Sequence, residues 1–66
     1  MKFNRYEKTI INVLYQAWRP LTTSQIAEKS GVVWITAKNY LNRLYNKGYL
    51  HTKKQGKSIY WWLKTS

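Results

Sequence analysis

The chain of 66 residues is long enough for one domain, and its twelve Lys and Arg against two Glu give a net charge of +10. A chain of this size buries only about 60% of its unfolded surface, so one modest core is the limit. The absence of cysteine and the single histidine, His51, exclude disulfides and leave too little material for a metal or catalytic centre. We therefore expect one domain over residues 1–66, with no enzyme activity, metal or cofactor.

The charge is unevenly distributed along the chain. Residues 34–66 carry seven basic residues and no acid, whereas residues 1–33 carry five basic residues and both acids. Such self-repulsion opposes a compact state and indicates a polyanionic partner, either nucleic acid or an anionic membrane. No apolar run is long enough to span a bilayer and no signal peptide opens the chain, which favours nucleic acid and a cytoplasmic, nucleoid-associated location.

The first predicted element is a helix that begins after Asn4 and runs to about Trp18. Asn4 and Glu7 have the spacing of a capping box, and Pro20 disfavours helix at the residue before it. Helical spacing predicts an inner face made of Tyr6, Ile10, Val13, Leu14 and Ala17.

A second apolar stripe, made of Ile11, Tyr15 and Trp18, lies beside the inner face of this helix. The two together cover more of the helix than one core needs. Two interpretations stay open: the stripe is a homodimer face, or Trp61 or Trp62 covers it within one chain.

Two further helices follow a short extended link at residues 21–23. Thr23 or Ser24 is expected to cap a helix over about residues 24–30, and Gly31 suits the tight turn after it. The third helix is predicted over about residues 33–47 and ends before Gly48. Its expected inner face consists of Ala37, Tyr40, Leu41 and Leu44.

The last part of the chain predicts a β-hairpin. Residues 49–53 and 58–63 are rich in β-forming side chains, and residues 54–57 contain the glycine of a hairpin tip. Alternation places Ile59, Trp61 and Leu63 on one face of the second strand, with Tyr60 and Trp62 on the other. The fold class is therefore α+β: three helices, the second and third forming a helix-turn-helix, followed by a two-stranded β-hairpin wing.

Residues 20–63 resemble the winged helix-turn-helix transcription regulators, a broad group that includes penicillinase-repressor-like proteins and small archaeal and viral regulators. The residues that carry the resemblance are Pro20 to Ala27, Ser30-Gly31-Val32, Thr36-Ala37, Leu41, Leu44, Lys47 to Leu50, and Gly56 with Tyr60. The resemblance implies that the third helix enters the major groove of DNA while the wing follows a phosphate backbone or the minor groove. One departure is the start of the third helix, where many relatives have a Ser or Thr cap and this chain has Val33-Trp34-Ile35.

The candidate DNA contacts on the third helix lie opposite its inner face. Arg binds guanine and Asn binds adenine through paired hydrogen bonds in the major groove, so Arg43, Asn39 and Asn42 are candidate base readers. Lys38 and Thr36 flank them. Trp34 and Ile35 either contact thymine methyls or a partner protein, or, for Trp34, pack over the edge of the core.

Two further groups complete the predicted interface. Lys53, Lys54 and Lys57 crowd the wing tip, where they would repel one another without a polyanion. Thr23 and Ser24 lie where the N-terminus of the second helix attracts phosphate, although simple capping explains them equally well.

The sequence predicts sequence-specific binding to double-stranded DNA by a transcriptional regulator, with homodimerisation as a further option and no evident small-molecule effector or membrane partner. The alternative is a winged helix that binds RNA or protein. In that case aromatic side chains such as Trp34, Tyr49 and Trp62 would stack on unpaired bases.

Overall fold

The computed structural model describes residues 3–64, which form three helices and three strands. Their order is α1 (Arg5–Gln16), β1 (Leu21–Thr22), α2 (Thr23–Ser30), α3 (Trp34–Asn46), β2 (Leu50–Gln55) and β3 (Ser58–Leu63). The predicted α+β class, with a helix-turn-helix followed by a hairpin wing, is confirmed.

Helix α1 begins as predicted and ends earlier than predicted. The side-chain oxygen of Asn4 accepts a hydrogen bond from the Glu7 N–H at 2.8 Å, and the Glu7 carboxylate accepts one from the Asn4 N–H at 3.0 Å. This capping box satisfies two backbone groups that a helix start otherwise leaves unpaired. Ala17 is already extended, with φ −79° and ψ 139°. The prediction that Trp18 belongs to a helical stripe was therefore wrong, because the chain turns away before it.

Helix α2 is capped one residue before the predicted positions. The Thr22 hydroxyl accepts a hydrogen bond from the Gln25 N–H at 3.1 Å, and the Gln25 side chain accepts one from the Thr22 N–H at 2.9 Å. The prediction that Thr23 or Ser24 is the cap was therefore wrong. These two are the first residues of the helix. The helix ends at Gly31, whose φ of 72° confirms the glycine turn.

The predicted extended link is a strand of the sheet. Leu21 pairs with Trp61 and Thr22 pairs with Tyr60, so β1 joins β3 in an antiparallel sheet of order β1-β3-β2. The sheet therefore has three strands among the described residues, where a two-stranded hairpin was predicted. A two-residue turn with Gly56 at φ 62° joins β2 to β3.

The core lies between the helices and one face of the sheet. Its buried members are Ile10, Leu14, Leu21, Ile26, Leu41, Leu44, Leu50 and Trp61. The predicted alternation along β3 is confirmed, because Trp61 is buried and Ile59 and Leu63 pack against the core. Tyr60 and Trp62 alternate with them and lie on the other face of β3. Within residues 3–64, no helix is long and apolar enough to cross a membrane.

Candidate nucleic-acid interface

Helix α3 presents a polar face to solvent because three small or branched apolar residues anchor the opposite side. Ala37, Leu41 and Leu44 are fully buried. At about 100° per residue, the side furthest from them carries Ile35, Asn39, Asn42 and Asn46, all of them exposed. We call these four residues the α3 ridge. Asn46 follows Asn39 and Asn42 at i+7 and i+4, a spacing that placed it on this face from the sequence, although it was not among the predicted contacts.

The basic residues of α3 lie on the flanks of the ridge rather than at its centre. The Arg43 guanidinium lies 5.5 Å from the ring of Tyr40, which itself stacks on Tyr6 of α1. Lys38 lies on the other flank, with its Nζ 5.1 Å from the centre of the Trp34 ring. The ridge therefore offers mainly amide groups, with one cation on each side.

The start of α3 has no side-chain cap. Val33 occupies the N-cap position without a side-chain hydrogen bond, although its carbonyl accepts from the Ala37 N–H at 3.0 Å. Trp34 and Ile35, the first two residues of the helix, are exposed. Trp34 does not pack over the edge of the core, which was one of its two interpretations. It is 44% exposed and lies outside the core cluster. Thr36 is half-buried.

The three predicted lysines of the wing point in different directions. Lys53 and Lys54 are exposed neighbours on β2, and strand alternation points them to opposite faces of the sheet. Lys57 is exposed in the turn. The positive charge therefore surrounds the wing tip instead of lining one side of it.

The two predicted contacts on α2 differ in accessibility. Ser24 is exposed, but Thr23 is only 3% exposed and its hydroxyl accepts a hydrogen bond from the Trp61 indole N–H at 2.8 Å. Since its side chain is occupied inside the molecule, Thr23 can offer a ligand only its backbone N–H.

One of the two acids is buried and paired. Glu7 is 2% exposed, and the Nζ of Lys47 lies 3.5 Å from its Oε2 atom. The hydrogen bond from the Asn4 backbone, helped by the charges of Lys47 and Arg43, holds the pKa of Glu7 below its ordinary value, although burial opposes this. The other acid, Glu28, is exposed on α2. Glu28 is therefore the one exposed acid among residues 3–64. The surface potential is positive as a result.

The predicted dimer face is partly exposed. Tyr15 is 78% exposed and Trp18 is fully exposed, whereas Ile11 packs against the core. Trp61 is buried in the core, and Trp62 lines a hollow beside Tyr15 and Trp18 without covering them, so both stay exposed within one chain. Within the described chain, no group of three metal-binding side chains comes together.

Comparison with solved structures places this fold among the winged helices. PcaV, a transcriptional regulator of Streptomyces coelicolor seen with its natural ligand, matches with a TM-score of 0.86 and 20% identity over 94% of this chain. Mb0332 of Mycobacterium bovis, a homodimeric winged helix-turn-helix DNA-binding domain, matches with a TM-score of 0.80 and 23% identity over 91%. ZitR of Lactococcus lactis, solved in complex with DNA, matches with a TM-score of 0.80 and 18% identity over 97%.

These likenesses establish the fold and no more. The chain spans 45% of the PcaV chain, 54% of the Mb0332 chain and 44% of the ZitR chain. The same fold also matches 17% of human N-acetylserotonin methyltransferase, an enzyme, with a TM-score of 0.79 and 15% identity over 89% of this chain. No protein-family model matches the sequence, and no curated protein resembles it closely enough to be a relative. Function must therefore be argued from the surface of this chain.

Proposed function

We propose that this protein binds double-stranded DNA sequence-specifically and regulates transcription, with α3 in the major groove and the wing on the phosphate backbone or in the minor groove. The observation that carries the proposal is the α3 ridge, an exposed row of Asn side chains with cations on its flanks. Asn is a weaker helix former than Ala, Lys or Gln, so helix stability does not account for three Asn on one exposed face. Asn side chains do pair bidentately with adenine in the major groove.

The distribution of charge supports the same orientation. Lys38 and Arg43 flank the ridge, and the three wing lysines lie beyond the end of α3 in the chain. These cations would neutralise phosphates on either side of the groove while the ridge reads base edges. Ile35, at the start of the ridge, supplies an apolar contact for a thymine methyl.

The test is selection of bound duplexes from a random pool, followed by substitution of the ridge. The double variant Asn39→Ala, Asn42→Ala should lose at least tenfold in discrimination between the selected duplex and a random one, because each bidentate contact is worth about 1–3 kcal/mol. The control is Asn12→Ala, which removes an exposed amide from α1. Unchanged discrimination in the ridge variant would overturn α3 as the reading element.

The selected duplexes also report on oligomeric state. The exposed Tyr15 and Trp18 favour a homodimer, the assembly that Mb0332 forms. A dimer would select two half-sites about 10 base pairs apart, or a multiple of that spacing. Selected sites without such symmetry would contradict the dimer while leaving the proposed DNA reading intact.

A further inference from the structure

The face of the sheet that points away from the core carries a cluster of aromatic and basic side chains. Strand alternation places Tyr60 and Trp62 of β3 on this face, and the strand register places Lys53 opposite Tyr60 and His51 opposite Trp62. The rings of His51 and Trp62 are stacked, with their centroids 5.5 Å apart and an interplanar angle of 27°. We call these four residues the outer sheet face.

A hollow of about 370 Å³ adjoins the outer sheet face. It lies between the sheet and the chain segment that leads from α1 into β1. Its lining consists of Arg19, Pro20, Lys53, Gln55, Tyr60 and Trp62. A volume of this size falls in the range of small-ligand sites, which need apolar walls and a few polar groups.

The structure assigns to the outer sheet face a second function: binding of unpaired nucleotides, with bases on Trp62, Tyr60 and His51 and phosphates on Arg19 and Lys53. The exposed Lys53 and Arg19 both line the hollow, and within residues 3–64 no acid lines it. Aromatic rings interleaved with cations bind single strands without sequence preference, because every base has a face to stack. A duplex hides those faces within its own stack, so only unpaired bases fit.

Charge also argues against a second copy of the chain as the occupant of this face. A symmetric contact through this face would bring Arg19 and Lys53 of one copy toward the same residues of the other, and within residues 3–64 no acid lines the hollow to pair with them. The nucleotide proposal does not depend on duplex recognition by α3, because the outer sheet face and the α3 ridge share no residue. Lys53 belongs both to the outer sheet face and to the wing.

The experiment measures binding of labelled octamers of deoxythymidylate and of uridylate to the full chain by fluorescence anisotropy at fixed salt. Replacement of Trp62 by Leu keeps an apolar side chain but removes the stacking ring, and should weaken binding of the octamers by about 5- to 100-fold. The control Tyr6→Leu removes an aromatic ring of α1 that is 44% exposed and does not line the hollow, and should leave affinity within about twofold. The tighter of the two octamers identifies whether DNA or RNA is the preferred source of unpaired bases.

Two further measurements keep the test decisive. An abasic octamer with the same number of phosphates should bind at least fivefold more weakly than the deoxythymidylate octamer, since it offers charge without bases. If Trp62→Leu fails to fold by circular dichroism, Tyr60→Leu and Lys53→Gln replace it, with weaker binding expected for both. Equal affinity for the abasic octamer, or equal effects of the Trp62 and Tyr6 substitutions, would overturn the proposal.

The variant Asn39→Ala, Asn42→Ala separates the two functions. It should bind the octamers as the unsubstituted protein does, whatever its effect on duplex binding. Loss of octamer binding in this variant would show that the octamer occupies the α3 ridge, and would overturn the outer sheet face as the site.

Discussion

The Glu7 carboxylate connects the start of α1 to the end of α3. One oxygen accepts the Asn4 N–H that completes the start of α1, and the other faces Lys47 just after the end of α3. The carboxylate is buried, but Lys47 is 39% exposed at its side chain, so only one partner of the pair is removed from water. Removal of one partner of a buried charge destabilises the folded state, because the charge is then left uncompensated.

The pH dependence of stability follows from the lowered pKa of Glu7. Because the pKa is lower in the folded state, the contribution of Glu7 is complete above its unfolded value, about 4.3, and is lost as pH falls through the folded value. We expect thermal stability to fall between about pH 5 and pH 3, and Glu7→Gln to flatten this part of the profile. At neutral pH the variant should be less stable by about 1.5–3 kcal/mol, the usual range for a hydrogen bond to a charged group.

The matched control for this prediction is Glu28→Gln. It makes the same change in net charge at an exposed position of α2. Its stability profile should follow that of the unsubstituted protein in thermal melts from pH 3 to pH 7. If the Glu7→Gln and Glu28→Gln variants have the same profile, protonation of Glu7 is not the cause of the loss of stability at acid pH.

At the scale of elements, α2 and β3 are joined by a hydrogen bond inside the core. The Trp61 indole N–H donates to the Thr23 hydroxyl, so the first turn of α2 supplies the polar partner that a buried Trp requires. The adjacent Thr22 pairs with Tyr60 in the sheet and also caps α2. The base of the wing and the helix-turn-helix are thus connected at two consecutive residues.

Replacement of Thr23 by Val tests this connection. Val has the shape of Thr but leaves the Trp61 N–H without its acceptor, which should cost about 1–3 kcal/mol of folding free energy. In a domain of this size each kcal/mol lowers the melting temperature by about 4–8 °C. Thr23→Ser should recover most of the loss, and Ser24→Ala, at an exposed position, should change stability by less than about 0.5 kcal/mol. A melting temperature for Thr23→Val equal to that for Ser24→Ala would contradict the role of this bond.

Local signals made most elements predictable, and long-range contacts explain the differences. The start of α1 follows from Asn4 and Glu7 because a capping box is contained within four residues. Strand β1 was not predictable as a strand, since two residues show no alternation and their partner Trp61 lies 40 positions away from Leu21. A contact across 38 positions also bears on the wrong assignment of the α2 cap, because Thr23, one of the two predicted caps, instead accepts a hydrogen bond from the Trp61 indole.

The candidate site shows the same division between local and tertiary information. The α3 ridge could be predicted because helical periodicity alone sets its members. The place of Arg43 could not, because its long side chain lies against Tyr40, and Tyr40 is itself positioned by Tyr6 of another helix.

At the scale of the whole molecule, most of the positive charge faces solvent without compensation. Twelve basic residues stand against two acids, and one of those acids is buried against Lys47. Association with a polyanion should therefore release counterions and depend steeply on salt.

We expect a plot of log affinity for duplex DNA against log salt concentration to have a slope near −5, as for contact with about six phosphates. Neutralising the wing with Lys53→Gln, Lys54→Gln and Lys57→Gln should reduce that slope by about 3 units, roughly one for each lysine. Titrations at several salt concentrations measure both slopes. A control variant with Arg5→Gln and Lys8→Gln, both exposed on α1, should keep the original slope. If its slope falls as much as that of the wing variant, binding is not localised to the wing.

The attachment of β1 to β3 has a consequence for how the two proposed DNA contacts would cooperate. Because the sheet fixes the wing relative to α2, binding of α3 would place the wing lysines beside the backbone at a high effective concentration, with no flexible tether to order. The second contact would then cost little additional entropy. Affinity in such an arrangement depends on spacing as much as on the contacts themselves, so a substitution that loosens β1 would weaken DNA binding without touching a single DNA-facing residue.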